Sequence, residues 1–170
     1  MHASNSGLAH GTGGSPQTTL EQQEYSNKVQ QNEKELKTHA EYIKNELPKT
    51  SPLKIPSNAT IKEEQKNGYQ QIKYNWDRGD YKYQSRWHTR TPGAPKNQGN
   101  TWVVEKRKPG IGNGKNARPA ERYVLVGKNK NGSPKWIDRK KWDSAIRARK
   151  NGTATKEQKE MLDHGHWKAK

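Results

Sequence analysis

At 170 residues the chain has room for one domain of ordinary size and an appendage. Only 26% of its residues are hydrophobic, Phe is absent and the mean hydropathy is -1.46, which excludes a large aliphatic core. The absence of Cys excludes disulfides, a thiolate nucleophile and Cys-ligated zinc, while 33 Lys and Arg against 17 Asp and Glu point to a polyanionic partner.

Residues 1–17, mostly Gly, Ser, Ala, His and Asn, read as a linker or a junction severed from something longer. They lack the basic and apolar regions of a secretory signal, so such a signal is expected elsewhere. From Thr18 the pattern turns helical. Tyr25, Val29, Leu36, Ala40, Ile43 and Leu47 recur at helical spacing, Thr18 or Thr19 is positioned to cap the start, and Pro48 is expected to end it. Up to Leu47 there are six Glu and four Lys, so residues 48–170 carry 29 Lys and Arg against 11 Asp and Glu. The basic part is therefore the candidate functional part. Lys49–Pro56 reads as extended linker, and Ala59–Lys66 as a short helix stopped by Asn67-Gly68.

Beyond Gly68 the period becomes two. Tyr69–Trp76 and Tyr81–His88 are expected to form a hairpin around Asp77-Arg78-Gly79-Asp80. One face of that hairpin carries Ile72, Tyr74, Trp76, Tyr81, Tyr83 and Trp87, and the other carries Lys82, Gln84, Arg86 and His88. Thr101–Arg107 and Arg122–Lys128 read as two more strands, joined by a Gly-rich loop, and Ser133–Ile137 as a short edge strand. Asp138 is expected to cap a helix over Arg139–Lys150 that ends at Asn151-Gly152, and Thr153 or Thr155 a last helix through Leu162. The fold class is α+β: an N-terminal helix, then a four- to five-stranded antiparallel sheet with C-terminal helices. The division is a linker over 1–17, a helical region over 18–66 and a basic domain over 67–170. The longest apolar run, Tyr123–Val126, is far too short to cross a bilayer, so no membrane insertion by this segment is expected.

The candidate chemistry centres on His88, set between Arg86 and Arg90. Imidazole carries a proton either way near neutral pH, and guanidinium matches phosphate oxygens. RNA cleavage without a metal needs little more, because the 2′-hydroxyl is an internal nucleophile: a base, an acid and cations for the phosphorane suffice. The expected set is His88 for proton transfer, with Arg86, Arg90, Lys106 and Arg122 stabilising the phosphate. Thr89, Thr91, Arg107, Arg118 and Lys82 are expected to contact substrate. Tyr83, Trp87 and Trp102 either stack bases or point into the core, the second being favoured.

Asp163, His164 and His166 are candidate additions, and with His88 they would be the ligands of the alternative, a metal-dependent DNase. His164 and His166 are two apart, not on one helical face, so neither metal nor other cofactor is expected. Gly110-x-Gly112-x-Gly114 lacks the helix and the Lys-Ser/Thr of a phosphate loop. A third reading is a nucleic-acid-binding module without catalysis.

The run Trp87-His88-Thr89-Arg90-Thr91-Pro92-Gly93-Ala94-Pro95, then Thr101-Trp102-Val103-Val104, Pro109-Gly110, Asn151-Gly152-Thr153-Ala154-Thr155 and Leu162-Asp163-His164-Gly165-His166-Trp167, resembles the C-terminal toxin tips of bacterial polymorphic toxins. The likeness is to the wall-associated, Rhs-repeat, contact-dependent type, several of which cleave tRNA. The resemblance implies a nuclease toxin at the tip of a larger secreted or cell-surface protein, acting on tRNA or another structured RNA in the cytoplasm of a target cell. It also implies a cognate immunity protein, which by charge should be acidic. Members are similar in fold, with an N-terminal helical part and a four-stranded antiparallel sheet, whereas here two helices are expected to follow the sheet.

Overall fold

A computed structural model describes residues 19–169. The linker expected over 1–17 and the alternative cap Thr18 lie outside the described residues. The chain divides between Leu47 and Pro48 into two compact units.

The first unit is built on α1, Leu20–Glu41. Thr19 caps it in a reciprocal box, its hydroxyl accepting from the Gln22 N–H and its own N–H donating to the Gln22 side chain. The helix passes into a π turn over Tyr42–Glu46, and a 3-10 turn over Leu47–Thr50 carries the chain through Pro48. Leu20, Tyr25, Leu36 and Tyr42 are exposed along it.

The second unit is an antiparallel meander. Strands β1 (Thr60–Lys66), β2 (Tyr69–Arg78), β3 (Tyr81–His88), β4 (Thr101–Lys108), β5 (Glu121–Lys128) and β6 (Pro134–Asp138) lie side by side in sequence order. A two-residue β7 (Trp167–Lys168) pairs with the start of β4, and β5 pairs with its end. The sheet thus has seven strands, not four or five. Much of the difference is β1, over the residues expected to be a short helix. Lys, Glu and Gln favour helix only weakly, and Thr60 to Lys66 pairs along its whole length with β2. Asn67-Gly68 is therefore a hairpin turn and not a helix stop. Gly68 has φ +85°, and a Cβ there would press on the Pro92 ring. β1 belongs to the second compact unit, which begins at Pro48, ahead of the boundary expected at residue 67.

The α+β class holds, as do the C-terminal helices. Asp138 accepts from the Lys140 N–H to cap α2 (Arg139–Lys150), and Thr155 forms a capping box with Gln158 at the start of α3 (Lys156–Gly165). Among the described residues no helix is long and apolar enough to cross a membrane.

The two helices cover half of one sheet face. Val103, Val124 and Val126 of that face bury against Trp142, Ala145 and Leu162, with Ile137, Ile146 and Met161 at the margin. A Cβ on Gly165 would overlap the Trp142 ring, so α3 approaches α2 this closely only because residue 165 is glycine. The opposite face is aromatic: Tyr74, Trp76 and Trp102 are buried there with Ile72, Val104 and Leu125. The segment after Pro48 is tied to this face, Trp102 Nε1 donating to Thr50 Oγ1 (2.8 Å) and Ser51 Oγ meeting Ser85 Oγ (2.8 Å). The residues read as linker are therefore part of the domain.

Candidate nucleic-acid interface

Because α2 and α3 pack on the β4–β6 half of their face, the β1–β3 half stays open over its Asp77, Asn75 and Lys73 rows, while Gln71 and His88 at its end are buried. Strand pairing arranges its side chains in cross-strand rows about 7 Å apart along the strands. One row is Asp77, Lys82, Arg107 and Arg122. The next is Asn75, Gln84 and Glu105, ending on Val124 in the core. The third is Lys73 and Arg86, ending on Val103, and the fourth is Gln71, His88 and Thr101. An open cavity of about 850 Å³ lies over the first three rows, bounded also by Arg139, the first residue of α2. Trp76, Tyr83 and Lys106, which belong to the other face by strand alternation, border it too.

The middle row holds a carboxylate between two guanidiniums. Arg86 Nη1 donates to Glu105 Oε2 (2.6 Å), and Arg139 Nη1 donates to Glu105 Oε1. Arg139 Nε also donates to Asp143 Oδ1 (3.0 Å). Burial works against the Arg139 charge, but Glu105 and Asp143 together outweigh it and hold the guanidinium more firmly protonated than an ordinary arginine. The chain of bonds continues the other way: Arg86 Nη1 donates to Gln84 Oε1 (3.1 Å), and Gln84 Nε2 to Asn75 Oδ1 (3.0 Å).

His88 is only 3% exposed and does not line this cavity. Its Nδ1 lies 3.0 Å from the Thr89 carbonyl, which can only accept, so Nδ1 carries the proton and Nε2 faces Thr101 Oγ1 at 3.5 Å. Tyr69 and His166 meet its ring edge-on, at 6.2 and 6.1 Å between centroids. His166 itself packs on Trp142 at 5.0 Å and donates from Nδ1 to the Leu162 carbonyl (2.6 Å). Burial pushes both imidazoles down, the carbonyl contacts oppose it, and nearby guanidiniums add to it; His166 falls to about 4.

The other expected residues divide. Arg86, Lys82, Arg107 and Arg122 line the cavity. Lys106 borders it from the opposite face, its ammonium 4.5 Å from the Tyr81 and Trp136 ring centroids and 5.7 Å from that of Tyr123. Arg90 donates to the Ala94 and Pro95 carbonyls of its own loop, and Thr89 Oγ1 accepts from the Gln70 N–H. Thr91 sits in the same loop, its carbonyl accepting from the Ala94 N–H. Arg118 is exposed in the β4–β5 connection, which an Ile111–Arg118 bridge closes. Asp163 and His164 are exposed on α3, so the four residues of a DNase-type metal site are split between the surface and a pair of which His88 is buried and His166 half-buried. Among the described residues no group of three or more His, Asp or Glu could hold a metal ion.

Sequence reading missed Glu105, Arg139, Asn75 and Gln84 as site residues. The signal for Glu105 was its parity: in Val103-Val104-Glu105-Lys106-Arg107 the acid shares a face with Arg107. Arg139 had no such signal, because only the packing of α2 brings it there. No protein-family model matches the chain, and no curated protein or solved structure does either.

Proposed function

We propose that the chain is an endoribonuclease of the metal-independent kind, acting on tRNA or another structured RNA as the toxin tip of a larger surface protein. The observation that carries the reading is Glu105, held between Arg86 and Arg139 on the floor of an open groove lined by Lys73, Lys82, Arg107 and Arg122. A phosphodiester entering the groove competes with Glu105 for the two guanidiniums. As they turn to the non-bridging oxygens, a carboxylate oxygen is freed to take the 2′-hydroxyl proton. The 2′-oxygen then bonds to phosphorus and the bond to the 5′-oxygen breaks. The departing oxygen takes a proton from water in the open groove, leaving a 2′,3′-cyclic phosphate and a 5′-hydroxyl. His88, buried, and His166, half-buried against it, lie outside the groove lining and do not touch the substrate.

The cationic groove also suits an acidic immunity protein, whose carboxylates would occupy the positions of the phosphates. One observation favours a second reading, binding without catalysis: in the free chain both Glu105 oxygens already hold hydrogen bonds. Incubation of the purified chain and Glu105→Gln with total tRNA and plasmid DNA, with and without EDTA, separates the readings. Discrete RNA fragments that survive EDTA and vanish in the variant support cleavage through Glu105. Salt-sensitive binding without turnover leaves the binding module, and DNA cleavage abolished by EDTA leaves the DNase.

A further inference from the structure

The hydrogen-bond chain across the groove floor fixes what the groove offers a base. Arg86 is a donor and nothing else, so the Gln84 atom it meets at 3.1 Å must be the carbonyl oxygen Oε1. That places the Gln84 amide nitrogen toward β2, where it meets Asn75 at 3.0 Å and must find an acceptor, Oδ1. The orientation of both carboxamides, which a peptide in water leaves free to flip, is thus set by the charge of one arginine. What Asn75 has left to offer the groove is Nδ2, a pair of N–H donors. Asn75 lies two strands from Glu105, roughly 10 Å away at the usual strand spacing, which is the reach of a nucleotide whose phosphate sits at Glu105.

We infer that Asn75, oriented by Gln84 and Arg86, forms a base-selecting subsite that prefers keto bases, guanine and uracil, over amino bases, adenine and cytosine. The chemistry is that of base edges: O6 and N7 of guanine and O4 of uracil accept, while the N6 of adenine and the N4 of cytosine donate. A donor amide spans the adjacent O6 and N7 acceptors of guanine and meets O4 of uracil, whereas adenine offers N7 alone beside its N6 donor and cytosine presents its N4 donor at that edge. The subsite rests on the reading of the groove as a nucleic-acid interface, but not on cleavage.

The test is binding of uncleavable 2′-deoxy trinucleotides of G, U, A and C to the wild-type chain, Asn75→Ala, Asn75→Asp and Gln84→Ala, with thermal unfolding as the check on folding. The wild type should favour G and U by about tenfold, in line with one good base-edge contact. Asn75→Ala should bind all four alike, Gln84→Ala should narrow the preference because the Asn75 amide is free to turn, and Asn75→Asp should reverse the ratio toward A and C. Equal binding of the four by the wild type, or a preference that survives Asn75→Ala, overturns the subsite alone. Failure of the wild type to bind any of them overturns the nucleic-acid groove with it.

Discussion

Arg107 and Arg122 stand directly opposite each other on β4 and β5, on the same open face, with Lys82 the next neighbour of Arg107 on β3. Like charges in register cost stability in a sheet, so a row of three cations is a feature that folding alone would not select. A bound polyanion converts the repulsion into attraction. Replacing Arg122 by Gln should therefore raise stability by a few tenths of a kcal/mol, at most about 1 kcal/mol, while weakening RNA binding and lowering its salt slope by about one. Urea unfolding and a salt titration of tRNA affinity on the same variant check both halves.

His88, buried, and His166, half-buried against it, should make the fold sensitive to acid. Both have pKa values depressed in the folded chain, so as the pH falls the unfolded chain binds these protons first. Their contribution is complete above about 6.5 and is lost as the pH drops toward about 4, the value to which His166 falls. For His166 the loss is on the order of 3 kcal/mol. Stability measured by denaturant from pH 7.5 to 4 should decline across that window, and His166→Gln should flatten the decline. A pH-independent wild type would contradict the assignment.

Lys106 borders the groove, but its ammonium is committed to the aromatic face. Burial depresses its pKa against the pull of Glu121, and the rings of Tyr81, Trp136 and Tyr123 surround its ammonium. Lys106→Ala should cost about 1 kcal/mol of stability through the lost cation–π contacts. Its effect on tRNA affinity should be much smaller than that of Arg122→Gln, although each variant removes one positive charge.

The parts of the fold legible in the sequence are those where short-range chemistry decides. The β2–β3 hairpin followed from strict alternation on both sides of Gly79, and α2 from Asp138 at one end and Asn151-Gly152 at the other. β1 was not legible because its residues carry no apolar stripe; pairing with β2 holds it in the sheet, and its composition does not. The cationic face was read correctly from the parity of Lys82, Gln84, Arg86 and His88. Lys106 and Arg107 both border the groove although neighbours in a strand face opposite ways, Arg107 from the open face and Lys106 from the aromatic one. His88 shares the face of Arg86, yet the return of the chain after α3 lays His166 over it, 78 residues later in sequence. That burial is a tertiary event with no local signal. Glu105 was hidden for the opposite reason: one acid among Lys and Arg reads as incidental until Arg139 arrives from α2.

The central claim is that Glu105, and not His88, takes the proton. The most direct measurement is single-turnover cleavage of tRNA in EDTA by the wild type, Glu105→Gln and His88→Gln, each at a temperature where unfolding shows it fully folded. The account predicts a loss of about 100- to 10,000-fold in rate for Glu105→Gln with RNA still bound, and a rate near that of the wild type for folded His88→Gln. Full activity in Glu105→Gln, or a folded His88→Gln that is inactive, would contradict it.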